Sequence, residues 1–403
     1  MKKTMAKEPL WTPEFTGYGI SSSVFYIVQY IMVSALPIII TLSYGGTAFD
    51  AGMTMTCFQI GCILCRPFAG ELIDSLNKKK MLWFSTGLFF LITAAFNFSP
   101  SMEYLFIYRF FQGMLFAIGT TTVATVAVLI LPISRKGEGV GYFAMFVNIA
   151  MVIGPFFGLL ILDSFGDSAL FIACALIGLA GFYAANRKPL PEALALPKPK
   201  KHKKWNLARF IEYRALPWAL MGLFMSFTYS GILVFVPIMM TTMGVGTLAS
   251  YFFIIFALTI VVTRPFVGRI YDYYGASYLI YPGYIAFIIG MAILSLAQSE
   301  PLIFIAAPIL GLGYGAIAPA FQTLSVQVVS NERAGAATAT YFLFLDLGIG
   351  IGSILLSMIV SAFSFNMMYW INTLVAGLGL FLYHFVVRAK YQVKVERVKN
   401  KKS

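Results

Sequence analysis

Long apolar stretches separated by short polar segments run along nearly the whole of this 403-residue chain. A helix needs about 20 apolar residues to cross about 30 Å of hydrocarbon. Lipid cannot satisfy exposed backbone N–H and C=O groups, and membrane strands would show about ten alternating residues each, so the pattern predicts helices. The twelve predicted spans are 16–40, 51–73, 81–98, 103–131, 138–162, 168–185, 215–241, 247–271, 278–297, 302–329, 335–362 and 367–387.

Composition supports an all-α membrane protein and excludes several other classes. Hydrophobic residues make up 59% of the chain and charged residues 11%, against about 45–50% and about 25% in soluble globular proteins. An ordinary cytosolic enzyme, a disordered regulator and a secreted disulfide scaffold are therefore not expected.

Lysine and arginine occupy only alternate connections between the predicted spans, for example 78–80, 135–136 and 186–213. The opposite connections carry carboxylates and neither Lys nor Arg: Asp50, Glu103, Asp163, Asp167 and Glu300. Because an excess of Lys and Arg marks the cytoplasmic side, both termini are predicted to be cytoplasmic. We expect a multi-pass protein of a bacterial plasma membrane, since the chain is compact and lacks a transit-peptide pattern.

The net charge of +13 could indicate a nucleic-acid partner, but the position of the cations explains it more simply. The basic run 198–204 lies in a cytoplasmic connection, where it can set topology and contact anionic lipid headgroups. We therefore expect membrane lipid and no nucleic acid as partner. The four cysteines lie inside predicted spans as packing residues, and neither His202 nor His384 has metal-ligating neighbours, so no metal or cofactor is expected.

An internal repeat divides the chain. The segment 66–74 recurs 198 residues later as 264–272, and both copies read Arg-Pro-Phe-x-Gly-x-x-x-Asp. The same shift aligns further pairs, which are Gly113 with Gly311, Arg135 with Arg333, Gly154 with Gly352, and Asn148 with Asp346. Such a repeat predicts two pseudo-symmetric six-helix bundles that rock around a site near mid-membrane. We place the bundles at 1–185 and 214–388, a Pro- and Lys-rich linker at 186–213 and a basic tail at 389–403.

These repeated segments resemble the major facilitator superfamily over nearly the whole chain. The family's signature after its second span corresponds here to 70–79, in which Gly70, Leu72, Asp74 and the basic end match. Ser75 stands where the family usually has Arg, and Asn77 where it usually has Gly. The resemblance implies a major facilitator fold and a secondary transporter rather than an enzyme.

Two further signatures resemble those of the family. Arg-x-x-Gln-Gly occurs at 109–113, and in proton-coupled relatives this Arg is linked to proton transfer. Gly-Pro-x-x-Gly occurs at 154–158 and is typical of the drug:proton antiporter branch. The second motif therefore favours export over uptake.

Asp74 is predicted to face the N-terminal end of the helix that begins near 332–335, where the positive end of the helix dipole favours an anion. A contact of this kind contributes about 0.3–2 kcal/mol, which suits a reversible latch on the cytoplasmic side; the alternative is a solvated loop residue. The predicted gating residues are Asp74, Asp272, Gly70, Gly268, Arg66, Arg264, Gly154, Pro155 and Gly158.

Asp346 is the one acidic residue deep within a predicted span. A carboxyl group at that depth can bind a proton on one side and release it on the other, so we predict that Asp346 couples transport to protons, with Arg109 as modulator. A structural, hydrogen-bonded Asp346 is the alternative, and Glu14 is a weaker candidate for coupling.

Polar and aromatic residues within the spans are candidates for the substrate cavity, because amides facing lipid would be costly. For each of them, helix–helix hydrogen bonding is the alternative role. The candidates are Gln29, Tyr26, Tyr30, Tyr229, Phe321, Gln322 and Asn148.

We therefore predict a monomeric secondary transporter that exports a small organic compound in exchange for protons, driven by the proton gradient. Uptake of a small solute by symport is the alternative. A membrane-embedded enzyme or sensor is a more distant one, since the chain lacks a deep pair of catalytic carboxylates or a deep histidine.

Overall fold

The computed structural model describes residues 9–46, 48–132, 135–187, 210–245 and 248–388. The predicted linker 186–213 is described only at its two ends. The predicted tail 389–403 and the N-terminal cations at 2, 3 and 7 lie outside these residues.

Long helices account for nearly all of the described residues. In chain order they are α1 (Pro13–Leu42), α2 (Ala48–Ser75), α3 (Lys78–Ala95), α4 (Met102–Ile130), α5 (Lys136–Asn186), α6 (Leu216–Thr242), α7 (Ala249–Tyr274), α8 (Ser277–Ser295), α9 (Glu300–Gln327), α10 (Ala334–Ala362) and α11 (Phe365–Leu382). Short 3₁₀ turns at Phe96–Phe98 and Asn331–Arg333 and a π turn at Tyr383–Arg388 complete the described elements.

The helix α5 is interrupted at Gly166, whose φ of 78° and ψ of −176° are not helical. Glycine has no Cβ and adopts a positive φ without steric cost. The interruption separates two apolar segments, Lys136–Gly158 and Leu160–Asn186, which correspond to the predicted spans 138–162 and 168–185.

Eleven helical segments in the described ranges are long and apolar enough to cross a membrane. The helix α2 corresponds to the remaining predicted span; its 28 residues extend about 42 Å at 1.5 Å per residue, and it carries Asp50, Arg66, Glu71 and Asp74. The predicted all-α architecture is confirmed.

Side-chain caps fix the start of three helices. Thr12 accepts a hydrogen bond from the backbone N–H of Phe15 at 3.2 Å, and Asn77 accepts one from Lys79 at 2.9 Å. The side chain of Ser364 accepts a hydrogen bond from the backbone N–H of Met367 at the start of α11. These caps satisfy N–H groups that have no partner within a helix and set where each helix begins.

The described residues fall into two compact units. Unit 1 comprises the residues up to 212 together with 329–339, and unit 2 comprises 213–328 and the residues from 340 onward. Unit 2 differs from the predicted bundle 214–388 because the first residues of α10 group with unit 1, where they contact α2.

Equivalent helices pack in the same way within each unit. In unit 1, α2 packs against α4, and in unit 2, α7 packs against α9. A methyl group added at Gly311 of α9 would lie 2.6 Å from the carbonyl oxygen of Phe256 on α7. A methyl group added at Gly113 of α4 would likewise clash with the carbonyl oxygen of Phe58 on α2. Both pairs are related by the shift of 198 residues, so the sequence repeat corresponds to a repeated close contact between helices.

We expect Gly113→Ala and Gly311→Ala each to lower the free energy of unfolding by about 1–3 kcal/mol, because the added methyl group has no space beside a backbone carbonyl. The measurement is the melting temperature of the purified protein in detergent. Gly377→Ala in α11 is the control, since a methyl group there meets no atom within 4 Å. Equal melting temperatures for all three variants would contradict the close contacts.

Candidate functional site

The carboxylate of Asp74, at the end of α2, accepts two hydrogen bonds from the first turn of α10. Oδ1 accepts from the backbone N–H of Gly335 at 2.8 Å, and Oδ2 accepts from that of Ala336 at 2.9 Å. These residues all belong to unit 1. The N–H groups of a first turn have no partner within the helix and carry the positive end of its dipole, so an anion is favoured there. The structure places Asp74 at the helix start that the sequence indicated.

Two glycines allow this contact. A methyl group at Gly335 would lie 2.7 Å from Oδ1 of Asp74, and one at Gly70 would lie 2.8 Å from the Cα of Ala336. The end of α2 therefore reaches the start of α10 closely only because both positions lack a side chain.

The electrostatic balance at Asp74 limits the strength of the contact. Burial raises the pKa of Asp74 from 3.8 to about 6, although the two backbone donors, Arg333 and Lys78 all lower it. Desolvation of the carboxylate thus offsets much of the energy of its hydrogen bonds.

A second contact holds the same end of α10. The Nε of Arg333 donates to Oε2 of Glu212 at 2.8 Å, and Glu212 is only 5% exposed. Two residues earlier, the ring of Phe210 packs 5.1 Å from that of Phe68 on α2. The sequence gives no sign of this role of Glu212, because a single carboxylate before an apolar span carries no pattern.

Arg109 lies fully buried on α4 in unit 1. Its Nη1 donates to Oε1 of Gln112 at 2.6 Å and to Oε1 of Gln29 at 3.1 Å. Its guanidinium carbon lies 4.4 Å from the centroid of the Phe58 ring, and Gln112 donates in turn to Thr93 at 3.1 Å. Among the described residues, the hydrogen-bond acceptors of Arg109 are neutral, so its positive charge is stabilised but not neutralised.

Gln29, predicted to line the cavity, therefore contacts Arg109. The sequence did not single out Gln112, Phe58 or Thr93 as site residues. Gln112 is nevertheless part of the Arg-x-x-Gln-Gly motif, which was the signal that could have identified it.

Asp346 lies half-buried on α10 in unit 2. It follows the first residue of that helix by twelve positions, or about 18 Å at 1.5 Å per residue. Its repeat partner Asn148 is buried on α5 in unit 1, and its Nδ2 has no hydrogen-bond partner among the described residues. Proton coupling by Asp346 stays a prediction.

The predicted aromatic lining residues form ring contacts within their own units. In unit 1, the centroid of Tyr26 lies 6.4 Å from that of Tyr30. In unit 2, Tyr229 stacks on Tyr314 at 4.3 Å. Phe321 is fully buried, with its ring 6.2 Å from that of Tyr284, and Gln322 is 7% exposed.

The remaining predicted gating residues lie at helix contacts or near helix ends. A methyl group at Gly154 would lie 2.6 Å from the Cβ of Tyr30, and one at Gly158 would lie 3.2 Å from the Cα of Ile31, so α5 approaches α1 closely on either side of Pro155. On α7, Gly268 is buried and Asp272 is half-buried.

Two arginines of the repeat bridge paired helices. Arg66 on α2 donates to the carbonyl of Ala117 on α4 at 3.2 Å, and Arg264 on α7 donates to the carbonyl of Gly315 on α9 at 2.9 Å. Within the described ranges, no group of three or more His, Cys, Asp or Glu side chains is arranged to hold a metal ion.

A sequence model of the family described as Major Facilitator Superfamily matches residues 18–353 and 246–402. Among curated proteins, the uncharacterized MFS-type transporter YbcL of Bacillus subtilis is 25% identical over 263 residues, which are 62% of this chain and 64% of that protein. The quinolone resistance protein NorA of Staphylococcus aureus is 25% identical over 128 residues, which are 32% of this chain and 33% of that protein. The chain thus covers less than two thirds of the length of these relatives.

Among solved structures, the proton:xylose symporter XylE bound to 6-bromo-6-deoxy-D-glucose has a TM-score of 0.77. The alignment covers 93% of this chain and 95% of that chain at 15% sequence identity. At this identity the likeness concerns the fold.

The raised pKa of Asp74 predicts a pH dependence of stability. A carboxyl group whose pKa is raised on folding contributes stability that is present below its unfolded pKa and is lost as the pH rises through the folded value, here about 6. From pH 7 to pH 5, wild type should gain about 1 kcal/mol relative to Asp74→Asn. Thermal denaturation at the two pH values measures this difference.

Asp163→Asn, which removes an exposed carboxylate, controls for the loss of a negative charge. A loss of stability by wild type relative to Asp74→Asn from pH 7 to pH 5 would show instead that the donors around Asp74 outweigh its desolvation.

Proposed function

Because this chain belongs to the Major Facilitator Superfamily, we propose that it exports a small organic compound across a bacterial plasma membrane in exchange for protons. The resemblance that the signatures indicated is confirmed, and the chain is a multi-pass membrane transporter and not an enzyme. We propose beyond this that the transporter is coupled to protons, that it exports its cargo, and that the cargo is a small organic compound.

The observation that carries proton coupling is the position of Asp346. A charged carboxylate about 18 Å along a membrane-crossing helix is costly, and binding a proton removes that cost. Loading Asp346 with a proton therefore favours one conformation of the transporter, and releasing the proton favours the other. The inward proton gradient then drives cargo outward.

Arg109 supports this scheme as a modulator. Its contacts with Gln29 and Gln112 stabilise the cation in place without neutralising it. In a low-dielectric interior, a charge of this kind acts over longer distances than in water. The cation can therefore change the proton affinity of a carboxyl group as the transporter changes conformation.

The contact of Asp74 with Gly335 and Ala336 supplies a reversible latch in this proposal. It depends on a desolvated carboxylate and two hydrogen bonds, so its formation and loss involve a small net free energy. Gly154 and Gly158 pack closely against α1 on either side of Pro155. In this proposal, α5 bends at Pro155 during transport.

Export is favoured over uptake by the Gly-Pro-x-x-Gly motif at 154–158. Similarity to the protein named for quinolone resistance points in the same direction. The aromatic pairs Tyr26–Tyr30 and Tyr229–Tyr314 suit a partly apolar cargo, because stacked rings offer flat apolar surface.

In everted membrane vesicles with an acidic lumen, an exporter of this kind accumulates its compound and releases protons. A fluoroquinolone, ethidium, benzoate and xylose serve as probes, and a pH-sensitive dye reports the gradient. We expect Asp346→Asn to abolish proton-coupled accumulation, because an amide side chain cannot bind and release the coupling proton.

Asp163→Asn is the matched control, because that carboxylate is exposed. Full coupled transport by Asp346→Asn would refute the role of Asp346. Compound movement out of preloaded everted vesicles together with protons would identify uptake by symport instead of export.

A further inference from the structure

Each copy of the repeat places an arginine at the equivalent position, where it donates to the equivalent backbone carbonyl. Arg66 and Arg264 differ by 198 residues in the chain, as do their acceptors Ala117 and Gly315. Each arginine is 2% exposed. Arg264 lies ten residues before the end of α7 at Tyr274, about 15 Å along the helix axis, and within the predicted span 247–271.

In the first copy, hydroxyl groups complete the coordination of the guanidinium. Nη1 of Arg66 also donates to Oγ1 of Thr120 at 2.9 Å and to Oγ1 of Thr121 at 3.1 Å. The ring of Phe116 lies 5.8 Å from the guanidinium carbon. Arg66 is thus held by oxygen atoms of α4, as a buried cation requires.

In the second copy, these hydroxyl groups are missing. The positions equivalent to Thr120 and Thr121 are Ala318 and Pro319, which have no side-chain acceptor. The Nε of Arg264 is buried and has no hydrogen-bond partner in the described part of the chain. A buried cation with an unused donor is costly, and proteins retain such groups where a ligand supplies the missing acceptor.

We propose that Arg264 binds the carboxylate group of a small organic acid, and that this acid is the cargo of the transporter. The second part of the inference rests on the proposed function. The Nε–H of an arginine points to the same side of the guanidinium group as Nη2, and this edge matches the two oxygens of a carboxylate. One carboxylate carries one negative charge, which neutralises one arginine.

The surroundings of Arg264 suit the apolar part of such an acid. Tyr314, equivalent to Phe116 of the first copy, directly precedes Gly315, whose carbonyl accepts from Arg264, and its ring stacks on that of Tyr229. Tyr314 and Ala318 lie one turn apart on the same face of α9, and both are half-buried. This face therefore offers a ligand aromatic surface near the guanidinium group.

The test measures binding to the purified full-length protein in detergent by ligand-induced thermal stabilisation, with no proton gradient. The probes are acetate, octanoate, benzoate and 2-naphthoate, each compared with its primary amide. We expect at least one acid to stabilise the wild type and its amide to bind at least about tenfold more weakly, because the amide lacks the charge. Arg264→Gln should abolish the preference for the acid.

Arg264→Lys provides a second variant that does not remove the cation. Lysine keeps the positive charge but lacks the paired Nε and Nη2 donors, so the acid should bind more weakly than it does to wild type. Arg66→Lys is the matched control in unit 1 and should leave acid binding unchanged.

Three results would overturn the proposal: no acid binds more tightly than its amide, Arg264→Gln keeps the preference, or Arg264→Lys binds acids as wild type does. Because this assay needs no gradient, it separates the inference from the proposed function. Intact acid binding without proton-coupled export would refute the export proposal alone, and export of compounds without a carboxylate would refute only the assignment of the cargo.

Discussion

The cost of an unpaired polar or charged group in hydrocarbon governs where the buried cations of this chain lie. Arg66 and Arg264 each bridge two helices by donating to a backbone carbonyl on the neighbouring helix. Arg109 bridges α4 and α1 through Gln29. Each cation thus fixes the rotation of one helix against another and keeps its charge.

Close helix contacts make these bridges possible. Gly113 and Gly311 allow the backbones of α2 and α4, and of α7 and α9, to approach until no side chain fits between them. In a membrane, association of helices depends on such packing rather than on the hydrophobic effect. The repeat therefore preserves the glycines and the bridging arginines as a common framework.

The two copies differ at positions that bear on function. Asp346 corresponds to Asn148 in the first copy, and Arg109 corresponds to Ala307 in the second. The first copy thus supplies Arg109 and the second copy supplies Asp346. The hydroxyl groups of Thr120 and Thr121 are likewise present in one copy only. Under the proposed roles of Asp346 and Arg264, this unequal chemistry on a duplicated framework gives one chain both a proton-binding group and a group for an anionic cargo.

Tertiary contacts also decide which unit contains the start of α10. Residues 329–339 group with unit 1, where Asp74 and Glu212 hold the first turn of the helix and the residue before it, whereas the rest of α10 belongs to unit 2. The sequence indicated the Asp74 contact, because a repeated carboxylate at a helix end and the start of a later helix near 332–335 are features of local segments. It gave no indication of Glu212, which lies 121 residues before Arg333.

The sequence alone determined the helical segments, the repeat, and the residue types that carry charge into the membrane, because length, hydropathy and charge are properties of local segments. Only the tertiary structure decided which groups these residues contact: Gln29 lies 80 residues from Arg109, and Thr120 lies 54 residues from Arg66. In a membrane helix, the surfaces that face lipid and those that face other helices are both apolar, so periodicity does not reveal which side is buried. The rotation of each helix, and with it every side-chain partner, follows from packing between segments far apart in the chain.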